Sequence, residues 1–177
     1  MAEHRILTPS EYEALRKNTP KYSHRLIIDS LLFTGARYSE LKWVFANLTS
    51  FDPINRAIKL PGKATKTKKA RVIHLTPTYT KTLDDFVRSG QELKIPDQVS
   101  MNRNLKRWSN VIERPPTVKT FRKTWESWLL FVGFHSMPVA LSQGHKEIIS
   151  YDHYANLDPR LKSEVDKVKR YTEGWMQ

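Results

Sequence analysis

The chain of 177 residues is 39% hydrophobic and contains five tryptophans, which is enough apolar material for one domain with a core. Its formal net charge of +12 favours a polyanionic partner, most often nucleic acid, although a basic surface without such a partner is the alternative. The lack of cysteine excludes disulfides and cysteine-ligated zinc, and no apolar run is long enough for a membrane span or a signal peptide. The expectation is therefore a soluble intracellular protein with no membrane partner.

The positive charge is unevenly distributed along the chain. Residues 1–140 contain 24 Lys and Arg against 12 Asp and Glu, whereas residues 141–177 contain six of each kind. The whole excess of basic residues therefore lies in the first segment. Localisation of this kind is expected of a face that binds a polyanion.

Helix signals occur along most of the chain, and the first is the most complete. Thr8 suits the N-cap, Pro9 suits the first helical position, and Glu11 completes a capping box. Elsewhere apolar residues recur at helical spacing, and Gly35 separates the second helix from the third. The helices predicted are 9–17, 21–34, 38–44, 77–89, 99–112, 117–131, 138–143, 148–154 and an amphipathic tail helix over about 157–170.

The periodicity changes in the middle of the chain. Residues 57–60 and 70–75 alternate as strands, and the lysine-rich segment 61–69 connects them. Turn residues around Pro53 precede the first strand. The prediction is a mainly α protein with a small antiparallel β-sheet (α+β), which forms a single domain over residues 1–177.

Two arginines stand out as candidates for phosphate binding. The planar fork of an arginine can hold two phosphate oxygens, and phosphodiester chemistry needs such donors around the developing charge. Arg37 follows Gly35 at a helix junction, although Glu40 one turn later could simply pair with it. Arg122 lies one helical turn after Lys119 and next to Lys123, and the alternative there is a solvated basic stripe.

A cluster of cations occupies the predicted hairpin. It could enter a DNA groove and supply a proton donor, or it could be a solvated charge run. Its members are Lys63, Lys66, Lys68, Lys69 and Arg71.

Two residues near the end of the chain complete the set of candidates. Tyr154 follows His145 by nine residues, and a tyrosine becomes a useful nucleophile only beside cations that favour the phenolate. The alternatives are a surface histidine and a core tyrosine. A metal site built from His145, Asp152 and His153 is not expected, because the spacing does not place the three on one helical face.

In this order, these segments resemble the catalytic domain of the tyrosine recombinase (phage integrase) family over the whole chain. The segment Thr34–Leu41 resembles the first arginine box of that family. The segment Lys66–Leu75 resembles its lysine-bearing hairpin, and Lys119–Thr124 resembles its second box. Gly144 and His145 with Tyr154 match the last box in residues and spacing. The narrower resemblance is to integrases of archaeal spindle-shaped viruses.

The resemblance implies a role for each residue. Tyr154 would attack the scissile phosphate to form a 3′-phosphotyrosyl link, while Arg37 and Arg122 hold the nonbridging oxygens. Lys66 would protonate the departing 5′ oxygen, and counting back from the strand end selects it over Lys63. His145 and Lys119 would assist by hydrogen bonding or proton handling. The family usually has histidine where this chain has Lys119, and a lysine there would more simply add positive charge.

The resemblance also implies partners and organisation. Glu40 would orient Arg37, and DNA contacts would come from Lys63, Lys68, Lys69, Arg71 and Lys123. The activity would be site-specific integration of viral DNA into a host chromosome, without a metal or other cofactor. The substrate would be double-stranded DNA with attachment sites, bound by a homo-oligomer that is expected to be a tetramer.

A DNA-binding domain is expected to precede this segment in the longer protein, and the tail is expected to pack on protein, in cis or in trans. The rival interpretations are a type IB topoisomerase with the same chemistry and a DNA-binding protein without activity. A metal-dependent nuclease is a more distant rival.

Overall fold

The helices of a computed structural model begin and end close to the predicted positions. The structure describes residues 5–145 and 159–177. The α-helices are α1 Pro9–Asn18, α2 Tyr22–Thr34, α3 Tyr38–Ala46, α4 Pro77–Arg88, α5 Gln98–Trp108, α6 Val118–Phe131, α7 Ser136–Gln143 and α8 Val165–Thr172. Short 3₁₀ helices cover Leu48–Ser50, Gly62–Ala64 and Pro159–Glu164. Within the described ranges, no helix is long and apolar enough to cross a membrane.

The predicted capping box at the start of α1 is present. The Thr8 side chain accepts the backbone N–H of Glu11 at 3.2 Å, and Glu11 accepts the backbone N–H of Thr8 at 3.1 Å. Each contact satisfies a backbone donor that the first helical turn leaves unpaired. The local sequence therefore determines where this helix begins.

Two helix predictions differ from the structure by more than two residues at one end, and a third cannot be compared. Helix α5 ends at Trp108 rather than at residue 112. Beyond it the backbone N–H of Ile112 donates to the Ser109 carbonyl at 3.1 Å, a contact between residues three apart that forms a turn and does not continue the α-helix. The described part of the tail starts as a 3₁₀ helix and continues as α8 to Thr172, beyond the predicted end at 170. The helix predicted at 148–154 lies outside the described residues.

The sheet has three antiparallel strands in the order β1-β2-β3. They are β1 Phe51–Asp52, β2 Ala57–Leu60 and β3 Arg71–His74. The pairing places Ala57 opposite His74 and Leu60 opposite Arg71, so segment 61–69 closes a hairpin as predicted. Strand β1 was not predicted, since two residues are too few to show alternation. The mainly α fold with a small antiparallel sheet is confirmed.

The core is centred on α6 and its contact with α2. Phe121, Trp125 and Trp128 of α6 are at most 1% exposed. Leu31 and Leu32 of α2 are fully buried in the same cluster. A helix buried this deeply is fixed in rotation, and its polar residues at neighbouring turns are fixed with it.

The described tail packs on the rest of the same chain. Leu161 and Val168 are fully buried, as the amphipathic pattern predicts. Trp175, beyond the predicted helix, is also fully buried and donates from its indole nitrogen to the His74 carbonyl at 2.9 Å. Tyr171 donates to Glu13 of α1 at 2.8 Å. The described part of the tail therefore packs in cis against α1, α6 and the end of the sheet.

Candidate active site

A cleft of about 520 Å³ brings together residues from five separate segments of the chain. Its lining includes five of the six residues predicted to be catalytic. These are Arg37, Lys66, Lys119, Arg122 and His145. The sixth, Tyr154, lies outside the described residues. The predicted catalytic residues that the structure describes, although separated in sequence, therefore all lie around one cleft.

The backbone turn before Arg37 depends on glycine. Gly35 ends α2 in the left-handed region with φ of +60°, which glycine adopts without a steric cost. A Cβ atom at this position would lie 2.0 Å from Nε2 of Gln143 in α7. The tight turn brings Arg37 directly onto the start of α3 at the edge of the cleft.

Glu40 is completely buried beneath the cleft and holds two arginines. Its carboxylate accepts the backbone N–H of Arg37 at 2.9 Å and the Arg37 guanidinium at 3.0 Å. Both terminal nitrogens of Arg71 donate to it at 2.6 Å. Burial acts to raise the pKa of Glu40, but the hydrogen bonds and charges of Arg71 and then Arg37 outweigh it and hold that pKa below its usual value. Glu40 is thus an anion that fixes the Arg37 side chain.

Arg71 lies in a different place from the lysines with which the sequence grouped it. Its side chain is only 8% exposed, with both ends of its fork on Glu40 and Nε donating to the Ser142 carbonyl at 3.1 Å. A Cβ on Gly144 would come within 2.9 Å of this guanidinium, so the close packing needs glycine there. Arg71 therefore supports the site through buried contacts with Glu40 and Ser142. Its prediction as a DNA-contacting residue of the exposed hairpin is wrong.

Arg122 is held by the ends of two helices. Its Nη1 donates to the Gly35 carbonyl at 2.8 Å, and its Nη2 donates to the Gln143 carbonyl. Both acceptors lie at helix C-termini, where backbone carbonyls lack helical partners and favour a cation. Burial, together with the charges of Arg37 and Arg71, lowers the pKa of Arg122 to about 10. The guanidinium is thus fixed in place and poorly solvated, as a binding group for an anion should be.

Lys66 extends from an ordered turn. Thr65, 3% exposed, donates its hydroxyl to the carbonyls of Gly62 and Lys69 at 3.1 and 2.9 Å, which ties the base of the hairpin together. The Lys66 side chain is exposed and lines the cleft. Lys63, Lys68 and Lys69 are exposed on the same hairpin but do not line the cleft.

His145 follows Gly144, which ends α7 in the left-handed conformation with φ of +77°. The imidazole Nε2 lies 3.2 Å from Oε2 of Glu126 and 3.1 Å from Oε1 of the same residue. Glu126 is one turn beyond Arg122 on α6 and is 2% exposed. Lys119 and Lys123 of the same helix contribute to the wall of the cleft.

Sequence reasoning did not single out Glu126 as a residue of the site. Its spacing of four residues from Arg122 could have placed it on the same face of the helix. Its partner His145 is 19 residues away in sequence, and only the folded chain brings the two together. Across the described ranges, no cluster of three or more His, Cys, Asp or Glu has the arrangement of a metal site.

No family model matches the sequence, and no curated protein matches it either. Solved structures do match. XerA recombinase superposes with a TM-score of 0.71 at 17% identity, over 94% of this chain and 65% of that one. The Tn1549 transposon integrase in complex with circular intermediate DNA gives 0.70 at 19% identity, over 95% and 68%. The catalytic domain of bacteriophage HP1 integrase gives 0.65 at 23% identity, over 93% and 95%.

These similarities define the fold. The chain has the fold of tyrosine recombinase catalytic domains, with mostly helices and one small three-stranded sheet. It spans about two thirds of the XerA and Tn1549 chains but nearly all of the HP1 catalytic domain.

Proposed function

We propose that this protein is a tyrosine recombinase, which cleaves and rejoins DNA strands through a phosphotyrosyl intermediate. The observation that carries the proposal is the convergence of Arg37, Lys66, Lys119, Arg122 and His145 on one cleft. These five residues come from four separate segments, since Lys119 and Arg122 share α6, and the fold is that of recombinase catalytic domains. The net charge of +12 is consistent with a DNA substrate.

The arginines would hold the scissile phosphate. Arg37 and Arg122 are fixed by Glu40 and by helix-end carbonyls, so they require little rearrangement when an anion arrives. Donors fixed in this way are worth more in the transition state than in water, because they are oriented before the charge develops. Their arrangement around one cleft suits the two nonbridging oxygens of a phosphodiester.

In the proposed cleavage step, the Tyr154 hydroxyl oxygen attacks the phosphorus and the bond from phosphorus to the 5′ oxygen breaks. The phenolic proton passes to a base in the cleft, and Lys66 donates a proton to the departing 5′ oxygen. The DNA 3′ end remains attached to Tyr154. A 5′ hydroxyl from another strand reverses the step, and the covalent link conserves the bond energy, so no ATP or metal is needed.

The finer part of the proposal concerns biological context. We infer that the reaction integrates viral DNA into a host chromosome and that four copies of the protein assemble on two attachment sites. The recombinase structures solved with DNA, such as the Tn1549 integrase, support DNA as the partner. The sequence resemblance to integrases of archaeal spindle-shaped viruses supports the viral role.

The test is covalent trapping on nicked DNA. A library of nicked duplexes with randomised sequence is incubated with wild type or Tyr154→Phe in the presence of a chelator. Wild type is expected to give an adduct that survives denaturation with detergent, and Tyr154→Phe is expected to give none. Adducts from both proteins, or from neither, would contradict the proposal. Relaxation of supercoiled DNA without an attachment site would favour a topoisomerase instead.

A further inference from the structure

The hairpin loop between β2 and β3 is closed by contacts between its two ends. The buried hydroxyl of Thr65 lies within hydrogen-bond distance of the carbonyls of Gly62 and Lys69, at 3.1 and 2.9 Å. Lys68 adopts the left-handed region with φ of +60°, and its carbonyl would lie 2.5 Å from a Cβ atom on Gly62. The loop therefore forms one unit, and the direction in which Lys66 extends depends on the strands that hold this unit.

The hairpin loop joins the sheet at Arg71. This residue begins β3 and pairs with Leu60, the buried last residue of β2. The pair is the last point at which the ladder holds the two sides of the hairpin together. Lys66 lies only five residues before Arg71 along the chain. The placement of Arg71 therefore determines where the hairpin loop leaves the body of the protein.

The Arg71 side chain anchors this end of the sheet to two helices. Its terminal nitrogens donate to the two oxygens of Glu40 in α3, each at 2.6 Å. Its Nε donates to the carbonyl of Ser142 near the end of α7 at 3.1 Å. The Ser142 hydroxyl also accepts the backbone N–H of His74, at the other end of β3, at 3.3 Å. Strand β3 is thus held at both ends.

Glu40 connects the hairpin to the proposed phosphate-binding group. The carboxylate that holds Arg71 also accepts the Arg37 guanidinium at 3.0 Å, and it is completely buried. An arginine fork on both oxygens of a carboxylate fixes geometry as well as charge. The loop that carries Lys66 and the guanidinium of Arg37 are therefore positioned by the same buried anion.

We propose that Arg71 is a positioning residue that holds the hairpin loop so that Lys66 reaches the leaving 5′ oxygen of the bound phosphate. Thr65 has the second part in this role, because its hydroxyl keeps the loop closed. The inference rests on the proposed recombinase function. It gives the buried contact of Arg71 with Glu40 a part in proton delivery, in addition to its part in supporting Arg37.

The test compares single-turnover cleavage of two nicked duplexes with the same sequence, taken from the trapped library. In one the scissile phosphorus is bonded to a 5′ oxygen, and in the other to a 5′ sulfur. A thiolate leaves without being protonated, so a defect in proton delivery disappears with sulfur. A defect in the binding of the phosphate by arginines remains with both substrates. The two rates together therefore distinguish positioning of Lys66 from general support of the site.

Arg71→Lys is the main variant. Lysine keeps a positive charge opposite Glu40, but it cannot bond both carboxylate oxygens and the Ser142 carbonyl in one fixed geometry. Cleavage of the oxygen substrate is expected to slow by about tenfold, a part of the roughly hundredfold or larger contribution of a general acid. Cleavage of the sulfur substrate is expected to stay within about twofold of the wild-type rate, because it needs no acid.

A double variant and a matched control complete the comparison. Arg71→Lys combined with Lys66→Ala is expected to cleave the oxygen substrate no more slowly than Lys66→Ala alone, because the loop then has no donor to position. Arg16→Lys is the control, since Arg16 donates to both oxygens of Asp29 at 2.9 and 3.2 Å outside the cleft. It should leave both rates at their wild-type values.

Three results for Arg71→Lys would overturn the inference. They are equal slowing with both substrates, a wild-type rate with the oxygen substrate, and an effect that multiplies with that of Lys66→Ala. If Arg71→Lys does not fold, Thr65→Val tests the same loop. Valine nearly keeps the shape and removes the hydroxyl that closes the loop, so the oxygen substrate alone should be cleaved more slowly. Wild-type rates with both substrates, or equal slowing with both, would contradict the proposal.

Failure of the proposed function has a separate signature. If wild type forms no adduct with any duplex in the library, the recombinase proposal fails and the role of Arg71 falls with it. If wild type forms the adduct and sulfur rescues Lys66→Ala but not Arg71→Lys, only the inference about Arg71 falls.

Discussion

Two groups of cations lie in and around this cleft. The arginines are held by protein oxygens, whereas the lysines are exposed to solvent. Arg37, Arg71 and Arg122 are tied by carboxylate or carbonyl oxygens, and the side chains of Arg37 and Arg71 are 25% and 8% exposed. The hairpin lysines stand in solvent on a turn whose backbone is anchored at Thr65. The first group has a fixed geometry, whereas only the base of the second is fixed.

The difference suggests that the two groups of cations have different functions. Oriented arginines suit the phosphate, which must be held in one position while bonds change. Exposed lysines suit long-range attraction of DNA, and Lys66, which lines the cleft, is the one proposed to deliver a proton. The following variants break one group while leaving the other intact.

The largest effect is expected from Glu40→Gln. The substitution keeps the shape but leaves the buried guanidinium of Arg71 without its counter-charge. Removing one partner of a buried ion pair costs about 3–5 kcal/mol in the free energy of unfolding. The check is chemical denaturation monitored by tryptophan fluorescence, with adduct formation measured on the variant where it folds.

Asp85→Asn is the control for Glu40→Gln, because it breaks the solvent-exposed pair of Lys81 and Asp85 on α4. Its effect on unfolding should be much smaller, since exposed pairs contribute little. If both variants unfolded at the same denaturant concentration as wild type, the buried cluster would not be a structural support of the site.

An intermediate effect is expected from Lys66→Ala. Loss of the proposed proton donor should slow adduct formation by about a hundredfold on ordinary DNA. Replacing the bridging 5′ oxygen by sulfur should restore most of the rate, because a thiolate leaves without being protonated. The check is single-turnover cleavage of both substrates.

Lys63→Ala is the control for the choice between the two lysines, because Lys63 is exposed on the same hairpin but outside the cleft. It should cleave both substrates nearly as fast as wild type. A slow Lys63→Ala protein that sulfur rescues would show that the choice of Lys66 is wrong.

The sequence alone predicted most of the fold, because its signals are local. The capping box at Thr8 and the glycine at 35 mark helix ends through contacts within a few residues. The strand at Phe51 was missed, since two residues carry no periodicity and its pairing depends on Ile58. The end of α5 was placed too late because apolar residues continue to Ile112, beyond the point at which the backbone leaves the helix and turns.

The sequence predicted the residues of the candidate site that stand in recognisable motifs, but it did not predict the residues that support them. Arg37, Lys66, Arg122 and His145 stand in recognisable boxes, and the structure places them around one cleft. The supporting contacts join distant positions. Arg71 reaches Glu40 across 31 residues, and Glu126 reaches His145 across 19. No local sequence pattern distinguishes a buried supporting residue such as Arg71 from its exposed lysine neighbours.

The smallest effect, and the one that completes the comparison, is expected from replacing Lys68 and Lys69 by glutamine. Both side chains are exposed, and neither lines the cleft, so the chemical step on bound DNA should be unchanged. DNA binding should weaken modestly. The slope of log affinity against log salt concentration is negative, and its magnitude should decrease by about 0.9 for each phosphate that the variant no longer neutralises. Lys162→Gln on the tail, also exposed, is the control and should keep the wild-type slope. An unchanged slope in the double variant would mean that Lys68 and Lys69 are solvated and do not neutralise DNA phosphates.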